Sequence, residues 1–412
     1  MDAPSYRLNA MQALMRRFAE LAPYNFIHAM RGAGPARADR WREVATQTLA
    51  ELHLGAPQFE GDDVCFSSTI PAVIEAPSSD LDTHLATELN RPFPRGEAPL
   101  RFFVIGEPDD THWFGIVLDH WLADDHSCRQ LMHRFFLRYH SPGSADTLPP
   151  LRFAGAVDSG SLLSALPTLI RQIAEHRRAF RVSLGDPQDF AVSTFQHRLP
   201  DGLIQIIQQR AKERAATVHD FFLAACAQAC GEFSRRQMHG HRTAVGIATV
   251  ADLRGTLGCS ENTFGCLLSY YTTVVDRQED VSADGLLQSI TARTRQSKKS
   301  LRTTVAALPL ARFWWDRTRS TRGKATLFQR SMPNFCGLSN VNLIGSWIDQ
   351  APPALRDYRR VGPTGPIAPL VFLLTSRADR LVAEVTYRTT AFTQGDAELL
   401  ANRFSHHLQA LA

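Results

Sequence analysis

The segment from Leu118 to Ser127 concentrates polar side chains between two strongly apolar stretches. It reads Leu-Asp-His-Trp-Leu-Ala-Asp-Asp-His-Ser, and its candidate for chemistry is His120. The pKa of a free imidazole lies close to neutrality. A histidine at the end of a buried strand can therefore take a proton from a hydroxyl or amine and return it. The segment thus indicates a general base.

The two residues at the end of the predicted strand should diverge. Asp119 and His120 are adjacent, so they point to opposite faces of a sheet if the strand persists. We expect His120 to face a cavity and Asp119 to face the other layer. Asp124 and Asp125 lie where a helix begins, and there a carboxylate can accept backbone N–H bonds near the positive end of the helix dipole.

Two other interpretations stay open on these residues alone. An Asp-rich turn before a helix often has a purely structural role, and a histidine beside it can share that role. A metal site is the second alternative, although its spacing matches no compact ligand pattern. Its ligands would be Asp119, His120, Asp124 and His126.

An alternation of strands and helices must position this segment. Leu100 to Ile105 and Trp113 to Leu118 predict a hairpin, and Ser127 to Tyr139 predicts an amphipathic helix. Breakers between Ser141 and Pro150 indicate the start of a linker. The second half restarts with helices, one of them opened by a capping box at Thr217 to Asp220, and it ends in strand, turn, strand and helix. The pattern predicts an α/β fold.

The composition excludes several classes of protein. The chain has 412 residues, of which 44% are hydrophobic and 21% are charged, as in a globular protein of two or three domains. Its apolar runs are too short for a membrane span, and a net charge of +4 is too small to indicate nucleic acid. The seven cysteines form no CxxC pair, and the N-terminus is too charged for a signal peptide, so we expect a cytoplasmic protein. Cys226 and Cys230 should pack as small apolar residues.

Familiar catalytic and nucleotide-binding motifs are missing from the sequence. It has no GxSxG elbow for a serine hydrolase, no Walker loop and no strand-linked GxGxxG. His120 and Asp125 match the HxxxxD spacing of glycerolipid acyltransferases, but no acidic Gly-containing phosphate motif follows. The sequence therefore does not support a serine hydrolase, a nucleotide-binding protein or a glycerolipid acyltransferase.

The segment resembles the HHxxxDG motif of the condensation-domain and coenzyme-A-dependent acyltransferase superfamily. Further motifs follow in the order typical of that superfamily and extend the resemblance over most of the chain. They are Ala216 to Ala225, Ala251-Asp252-Leu253-Arg254-Gly255, Asn262-Thr263-Phe264-Gly265 and Leu338-Ser339-Asn340-Val341.

The resemblance implies a fold and a division into domains. We expect two lobes, each like a chloramphenicol acetyltransferase subunit, arranged in a V with a tunnel between them. The N-terminal lobe would span residues 1–155, the linker 156–190 and the C-terminal lobe 191–412. The length leaves little beyond the two lobes and favours a freestanding, monomeric enzyme.

The resemblance also implies roles for individual residues. His120 takes the place of the catalytic histidine, and Asp124 is a structural residue whose expected partner is Arg254 from the other lobe. Asp119 stands where the motif has its first histidine, and Asp125 stands where it has glycine. The second departure is expected to narrow the tunnel, since glycine allows close approach. Ser339 and Asn340 are candidates for substrate or oxyanion contacts.

The implied activity is transfer of an acyl group from a thioester to an alcohol or amine in secondary metabolism, with His120 as base. The donor would be a coenzyme A or phosphopantetheine carrier thioester, with no tightly bound cofactor or metal. Alternatives are another condensation-like reaction, such as cyclisation or elimination, and a catalytically retired carrier-binding protein. A basic run that includes Lys298, Lys299 and Arg302 is either a solvated face or a docking surface for an acyl or peptidyl carrier protein.

Overall fold

The structure is a computed structural model that describes residues 5–69, 71–75, 80–141, 143–154, 162–235, 242–276, 282–351 and 354–412. The helices are α1 Ala10–Leu21, α2 Ala38–Glu51, α3 Leu81–Asn90, α4 Asp125–His140, α5 Leu162–His176, α6 Leu203–Glu213, α7 Val218–Ser234, α8 Arg254–Leu257, α9 Ala283–Lys299, α10 Leu301–Arg317, α11 Thr321–Ser331, α12 Trp347–Gln350 and α13 Gln394–Leu411, with a short 3-10 helix at Ser144–Thr147. The strands are β1 Tyr6–Arg7, β2 Asn25–Ala33, β3 Pro57–Glu60, β4 Asp63–Phe66, β5 Val73–Glu75, β6 Leu100–Gly106, β7 Thr111–Asp119, β8 Arg152–Phe153, β9 Val192–Arg198, β10 Ala244–Asp252, β11 Thr263–Phe264, β12 Leu268–Asp276, β13 Cys336–Asn342, β14 Leu355–Val361, β15 Leu370–Arg377 and β16 Arg380–Arg388.

The first compact unit is built from three stretches of chain, Met1–Asp158, Asp252–Leu268 and Gly345–Pro363. Its main sheet has five strands in the order β14-β2-β7-β6-β5 and is antiparallel except where β5 meets β6. Every residue of β7 is buried, because helices and loops cover both faces of this central strand. On one face Phe114 of β7 stacks on Trp41 of α2 and meets Phe135 of α4 edge to face, which fixes those two helices against the sheet.

The second unit comprises Ser159–Ala251, Ser269–Ile344 and Thr364–Ala412. Its sheet has six strands in the order β12-β10-β13-β15-β16-β9, with β13 parallel to both of its neighbours. The α7 and α13 helices pack together, and α13 covers the sheet through a stacked pair, Phe372 and Phe404. Parallel strands buried on both faces are typical of α/β proteins.

The second unit also buries three thiols in its core. Cys226 and Cys230 of α7 face Cys336 of β13, and the three sulfur atoms lie within 4.8 Å of one another. All three side chains are fully buried among apolar residues. This agrees with the prediction that Cys226 and Cys230 pack inside the core.

The two units do not follow the predicted domain limits. Residues 252–268 and 345–363 come from the second half of the sequence, yet they belong to the first unit. Residues 345–363 join the first unit because β14 pairs with β2 as an edge strand, with Tyr358 opposite Met30 and Val361 opposite Ile27. Within the predicted linker 156–190, residues 156–161 lie outside the described residues, and α5 is a helix of the second unit that packs on α10.

Among the residues that the structure describes, no helix is both long enough and apolar enough to cross a bilayer.

Candidate active site

The strand-to-helix turn that carries His120 is held by backbone hydrogen bonds. The N–H of Asp119 donates to the carbonyl of Pro99 at 2.9 Å, and the N–H of His120 donates to the carbonyl of Tyr24 at 3.0 Å. The N–H of Leu122 then turns back to the carbonyl of Asp119 at 2.9 Å. Because each amide is anchored on a different neighbour, the turn has a defined position before any side chain is considered.

The imidazole of His120 lies against two aromatic rings. Its centroid is 4.7 Å from that of Phe26 and 5.5 Å from that of Tyr24, with the Tyr24 ring stacked. Nδ1 is 3.2 Å from the carbonyl oxygen of Ala123. A carbonyl oxygen can only accept, so Nδ1 carries the proton and Nε2 keeps its lone pair. The side chain is only half-buried, so Nε2 is not sealed into the core.

Electrostatics favour the neutral imidazole. Burial lowers the pKa of His120 below its usual value, although the Ala123 carbonyl and the carboxylates of Asp124 and Asp125 oppose this shift. The ring is therefore unprotonated near neutral pH. A neutral imidazole with one fixed N–H and one free lone pair is the form that a general base requires.

Asp119 is the last residue of β7, and its side chain is buried. In the register of the sheet it pairs with Asn25 on β2, and its buried carboxyl feels the charge of Arg101. Its Oδ1 atom has no hydrogen-bond partner among the described residues. Burial raises the pKa of Asp119 to about 7, although hydrogen bonds from Trp121 and the charge of Arg101 oppose the rise. The expected divergence of Asp119 and His120 onto opposite faces stays a prediction, because β7 ends at Asp119.

Asp124 begins α4 and joins it to Arg254. Its Oδ1 accepts the backbone N–H of Ser127 at 2.8 Å, as an N-cap does. Its two oxygens also accept from Arg254 at 2.8 and 3.1 Å, and Oδ2 accepts the N–H of Leu267 at 2.9 Å. Both side chains are fully buried. The structure therefore brings together the two residues that were expected to pair, and it places both in the first unit.

Ser127 completes this buried cluster and was not singled out in the sequence. Its hydroxyl accepts from a nitrogen of Arg254 at 2.8 Å and donates to the carbonyl of Gly265 at 2.8 Å. Arg254 also donates to the carbonyl of Thr263 at 3.0 Å. A guanidinium has five N–H donors to satisfy when it is buried, which explains why a serine and a carbonyl line this position.

Asp125 lies in a second ionic cluster. Its carboxylate accepts from Arg129 at 2.8 Å and from Arg360 of β14, and it lies 3.3 Å from Nε2 of His28. The other ring nitrogen of His28 is 2.7 Å from the hydroxyl of Tyr358. Burial acts to raise the pKa of Asp125, but the charges of Arg360 and Arg129 and the His28 hydrogen bond hold it well below its usual range.

The side chain of Asp125 is therefore fixed to β2 and β14 by its partners. His28 and Arg360 were missed because they are far from Asp125 in sequence. One signal was available for His28, which interrupts the apolar strand Asn25–Ala33 and is buried. A polar group in such a strand requires a partner, and this predicts a buried network even where the partner cannot be named.

The remaining predicted site residues lie in the second unit. Oδ1 of Asn340 on β13 accepts a hydrogen bond from Nδ1 of His219 at 2.5 Å, and Ser339 is its half-buried neighbour. Lys298 and Lys299 end α9, Arg302 lies in the first turn of α10, and all three are exposed. Their roles in substrate contact and donor docking stay predictions.

The four residues of the alternative metal site have separate partners in the structure. Asp119 ends β7 opposite Asn25, and the carboxylate of Asp124 accepts hydrogen bonds from Arg254. His126 bonds through Nε2 to the carbonyl of Glu261 at 2.8 Å. Within the described part of the chain, the ligand atoms of these four residues do not come within 4.8 Å of one another as a group.

Comparison with known proteins rests on structure alone. No protein-family model and no curated protein matches the sequence. The trichothecene 15-O-acetyltransferase of Fusarium sporotrichioides aligns with a TM-score of 0.71 at 11% identity, over 98% of this chain and 95% of that one. The condensation domain of the monacolin K polyketide synthase MokA gives 0.70 at 11% identity, over 99% and 97% of the two chains. The X-domain from teicoplanin biosynthesis, also solved in complex with OxyB, gives 0.68 at 18% identity, over 100% and 96%.

The chain thus has an α/β fold similar to those of a condensation domain and an acetyltransferase, and the predicted α/β class is confirmed. The alignments cover nearly all of this chain and nearly all of each of these three structures. Proteins with this fold include an acetyltransferase and synthase-associated domains, so the fold alone does not select a reaction.

Proposed function

We propose that this protein is an acyltransferase of the condensation type, which moves an acyl group from a thioester to an alcohol or amine with His120 as general base. The observation that carries the proposal is the state of the His120 ring. Nδ1 is fixed on the Ala123 carbonyl at 3.2 Å, burial favours the neutral form, and Nε2 keeps a free lone pair. The likeness in fold to an acetyltransferase and to a condensation domain supports the same reaction class.

In the proposed reaction, Nε2 of His120 accepts the proton of the acceptor's hydroxyl or amine as that atom attacks the thioester carbonyl. A tetrahedral oxyanion forms and collapses, the carbon–sulfur bond breaks, and the imidazolium returns its proton to the departing thiolate. The products are an ester or amide and a free thiol. Activation of the acyl group as a thioester supplies the driving force, and no acyl-enzyme is formed.

Asp124 and Arg254 support His120 indirectly. Their buried bidentate pair fixes the first turn of α4, which follows His120 by only a few residues. A base must be held within a fraction of an ångström of its productive position. We assign these two residues a positioning role and expect no contact with substrate.

The experiment that tests the proposal is a screen of the full chain against acyl-coenzyme A and acyl-carrier thioesters, each with a set of alcohols and amines. Release of free thiol and the mass of the product are followed together. The proposal predicts thiol release coupled to formation of an ester or amide, and His120→Ala should slow both by about 10²–10⁴-fold. Product formation that does not need His120 would contradict it.

A second candidate is a binding protein that has lost catalysis. Two observations favour it: Asp119 and Asp125 stand in place of the motif histidine and glycine, and the fold is similar to that of the X-domain, which was solved in complex with OxyB. This candidate predicts a stable complex with a partner protein and no turnover of any thioester. His120→Ala should then leave the affinity for the partner unchanged, which separates it from the first proposal.

A further inference from the structure

Exposed apolar side chains are concentrated on two neighbouring helices of the second unit. On α5 they recur at a helical spacing of three, four and three residues, so they line one face of the helix. They are Leu163, Leu166, Ile170 and Ile173, with exposed fractions of 77%, 40%, 67% and 44%. The α5 helix packs on α10 elsewhere on its surface, so this face has no cover from the described part of the second unit. Single exposed apolar residues are ordinary, but a stripe of four indicates a binding surface.

The end of α10, the helix on which α5 packs, also exposes aromatic residues. Phe313 is 45% exposed and Trp314 is 55% exposed, whereas the next residue, Trp315, is buried. The guanidinium of Arg317 lies over the Phe313 ring at 4.6 Å from its centroid. The two exposed aromatic rings offer apolar surface, and the arginine places a positive charge at its edge.

The chain around these residues is strongly basic. From Arg293 to Lys324 it carries ten lysines and arginines and one acid, Asp316, which is a formal charge of +9 (ten minus one). Lys298, Lys299, Arg319 and Arg322 are exposed. This charge disfavours a second copy of the chain as the occupant, because a symmetric contact would bring two such basic segments together.

We infer that the α5 stripe and the α10 tip form a docking surface for an anionic membrane surface. Exposed aliphatic side chains on α5, exposed aromatic side chains on α10 and the basic residues of the segment Arg293 to Lys324 match the chemistry of a bilayer interface, where apolar groups enter the acyl boundary and cations meet acidic headgroups. Charge complementarity selects anionic over neutral lipid. This surface lies in the second unit, so the inference is independent of catalysis by His120.

Co-sedimentation of the full chain with vesicles tests the inference. Vesicles of phosphatidylcholine alone are compared with vesicles that contain phosphatidylglycerol, each at low and high salt. We expect binding at least about tenfold stronger to the anionic vesicles, with loss of that difference in high salt. Two double variants, Phe313→Ser with Trp314→Ser and Leu163→Ser with Ile170→Ser, should each weaken binding by about tenfold or more.

A matched control variant distinguishes binding by this surface from non-specific hydrophobic binding to vesicles. Ile206 of α6 and Leu399 of α13 are exposed to 49% and 42%, so Ile206→Ser with Leu399→Ser removes comparable apolar area elsewhere. That variant should bind like the wild type. Binding to neither kind of vesicle would overturn the inference and point to an acidic protein as the occupant. Binding that survives both surface variants would also overturn it.

Discussion

Among single residues, His120 can act as a base only in its unprotonated state. The ring is half-buried against Tyr24 and Phe26, and burial lowers its pKa below the usual value of 6.5. The protonated ring has no lone pair on Nε2 and cannot act as a base. We therefore expect kcat/KM for acyl transfer to rise with pH through an apparent pKa below 6.5 and to be flat above it.

The pH dependence of kcat/KM, measured with a substrate pair found in the thioester screen, checks this expectation. A limb that rises only above neutral pH would contradict it, because the base would then be a group of higher pKa. An acyl acceptor that does not titrate in this range, such as an alcohol, removes the substrate's own ionisation from the profile.

Asp119 gives a prediction about stability. In the unfolded chain its carboxyl titrates near 3.9, whereas in the folded chain burial raises its pKa to about 7. The folded state thus binds the additional proton between these values, so the free energy of unfolding falls as pH rises from about 4 to about 7. Asp119→Asn removes this titration. The variant should be more stable than the wild type above about pH 7, by a few kcal/mol at most.

Urea unfolding at about pH 5 and about pH 8 measures the effect of this substitution. The control is Asp201→Asn, since Asp201 is an exposed carboxyl of the second unit. The control should keep the pH dependence of the wild type. An Asp119→Asn variant with the same loss of stability between the two pH values would contradict a raised pKa for Asp119.

At the scale of elements, the buried pair between Asp124 and Arg254 joins the start of α4 to the segment Asp252–Leu268. Asp124→Ala removes the N-cap and the buried counter-charge of Arg254, whose remaining carboxylate partner, Asp252, is partly exposed at 3.1 Å. We expect the free energy of unfolding to fall by about 3–5 kcal/mol. Asp39→Ala is the control, because Asp39 forms an exposed ion pair with Arg42 and its loss should have little effect.

A double variant separates charge from packing at this pair. Asp124→Ala combined with Arg254→Met removes both charges, so it should recover part of the stability lost by Asp124→Ala alone. Chemical unfolding followed by circular dichroism measures the free energy of unfolding of the wild type, Asp124→Ala, the double variant and the control Asp39→Ala. A loss for Asp124→Ala no larger than that for Asp39→Ala would show that the pair does not hold α4 in place.

The same elements show what the sequence could predict. Local patterns predicted the hairpin of β6 and β7, the helix α4 that follows it and the capping box of α7, because each depends on nearby residues. Order and spacing of motifs also led to Arg254 as the partner of Asp124. The Asp125 cluster was not predictable in this way, because its partners His28 and Arg360 come from β2 and β14 and meet only through strand pairing.

At the scale of the whole molecule, the first unit is discontinuous in sequence. The stretch Met1–Asp158 contains the His120 turn but lacks Arg254, Arg360 and the edge strand β14. Hydrophobic patterns do not reveal such a division, which is why the sequence predicted limits at 155 and 191. Contacts formed by strand pairing and by a buried ion pair decide which unit a segment joins.

This arrangement predicts the behaviour of a fragment. Residues 1–158 expressed alone would leave Asp124 buried without Arg254 and would expose the edge of β2. We expect the fragment to lack a cooperative thermal transition and the near-ultraviolet circular dichroism of the full chain. A fragment that unfolds cooperatively would contradict the claim that the two later segments are integral to the first unit.

Turnover of His120→Ala tests whether His120 is the base of a thioester-dependent acyl transfer. The matched control is His406→Ala, which removes an exposed imidazole on α13. With a substrate pair turned over by the wild type, kcat for His120→Ala should fall by about 10²–10⁴-fold while its urea midpoint and the kcat of His406→Ala stay unchanged. A folded His120→Ala variant with the turnover of the wild type would contradict the account.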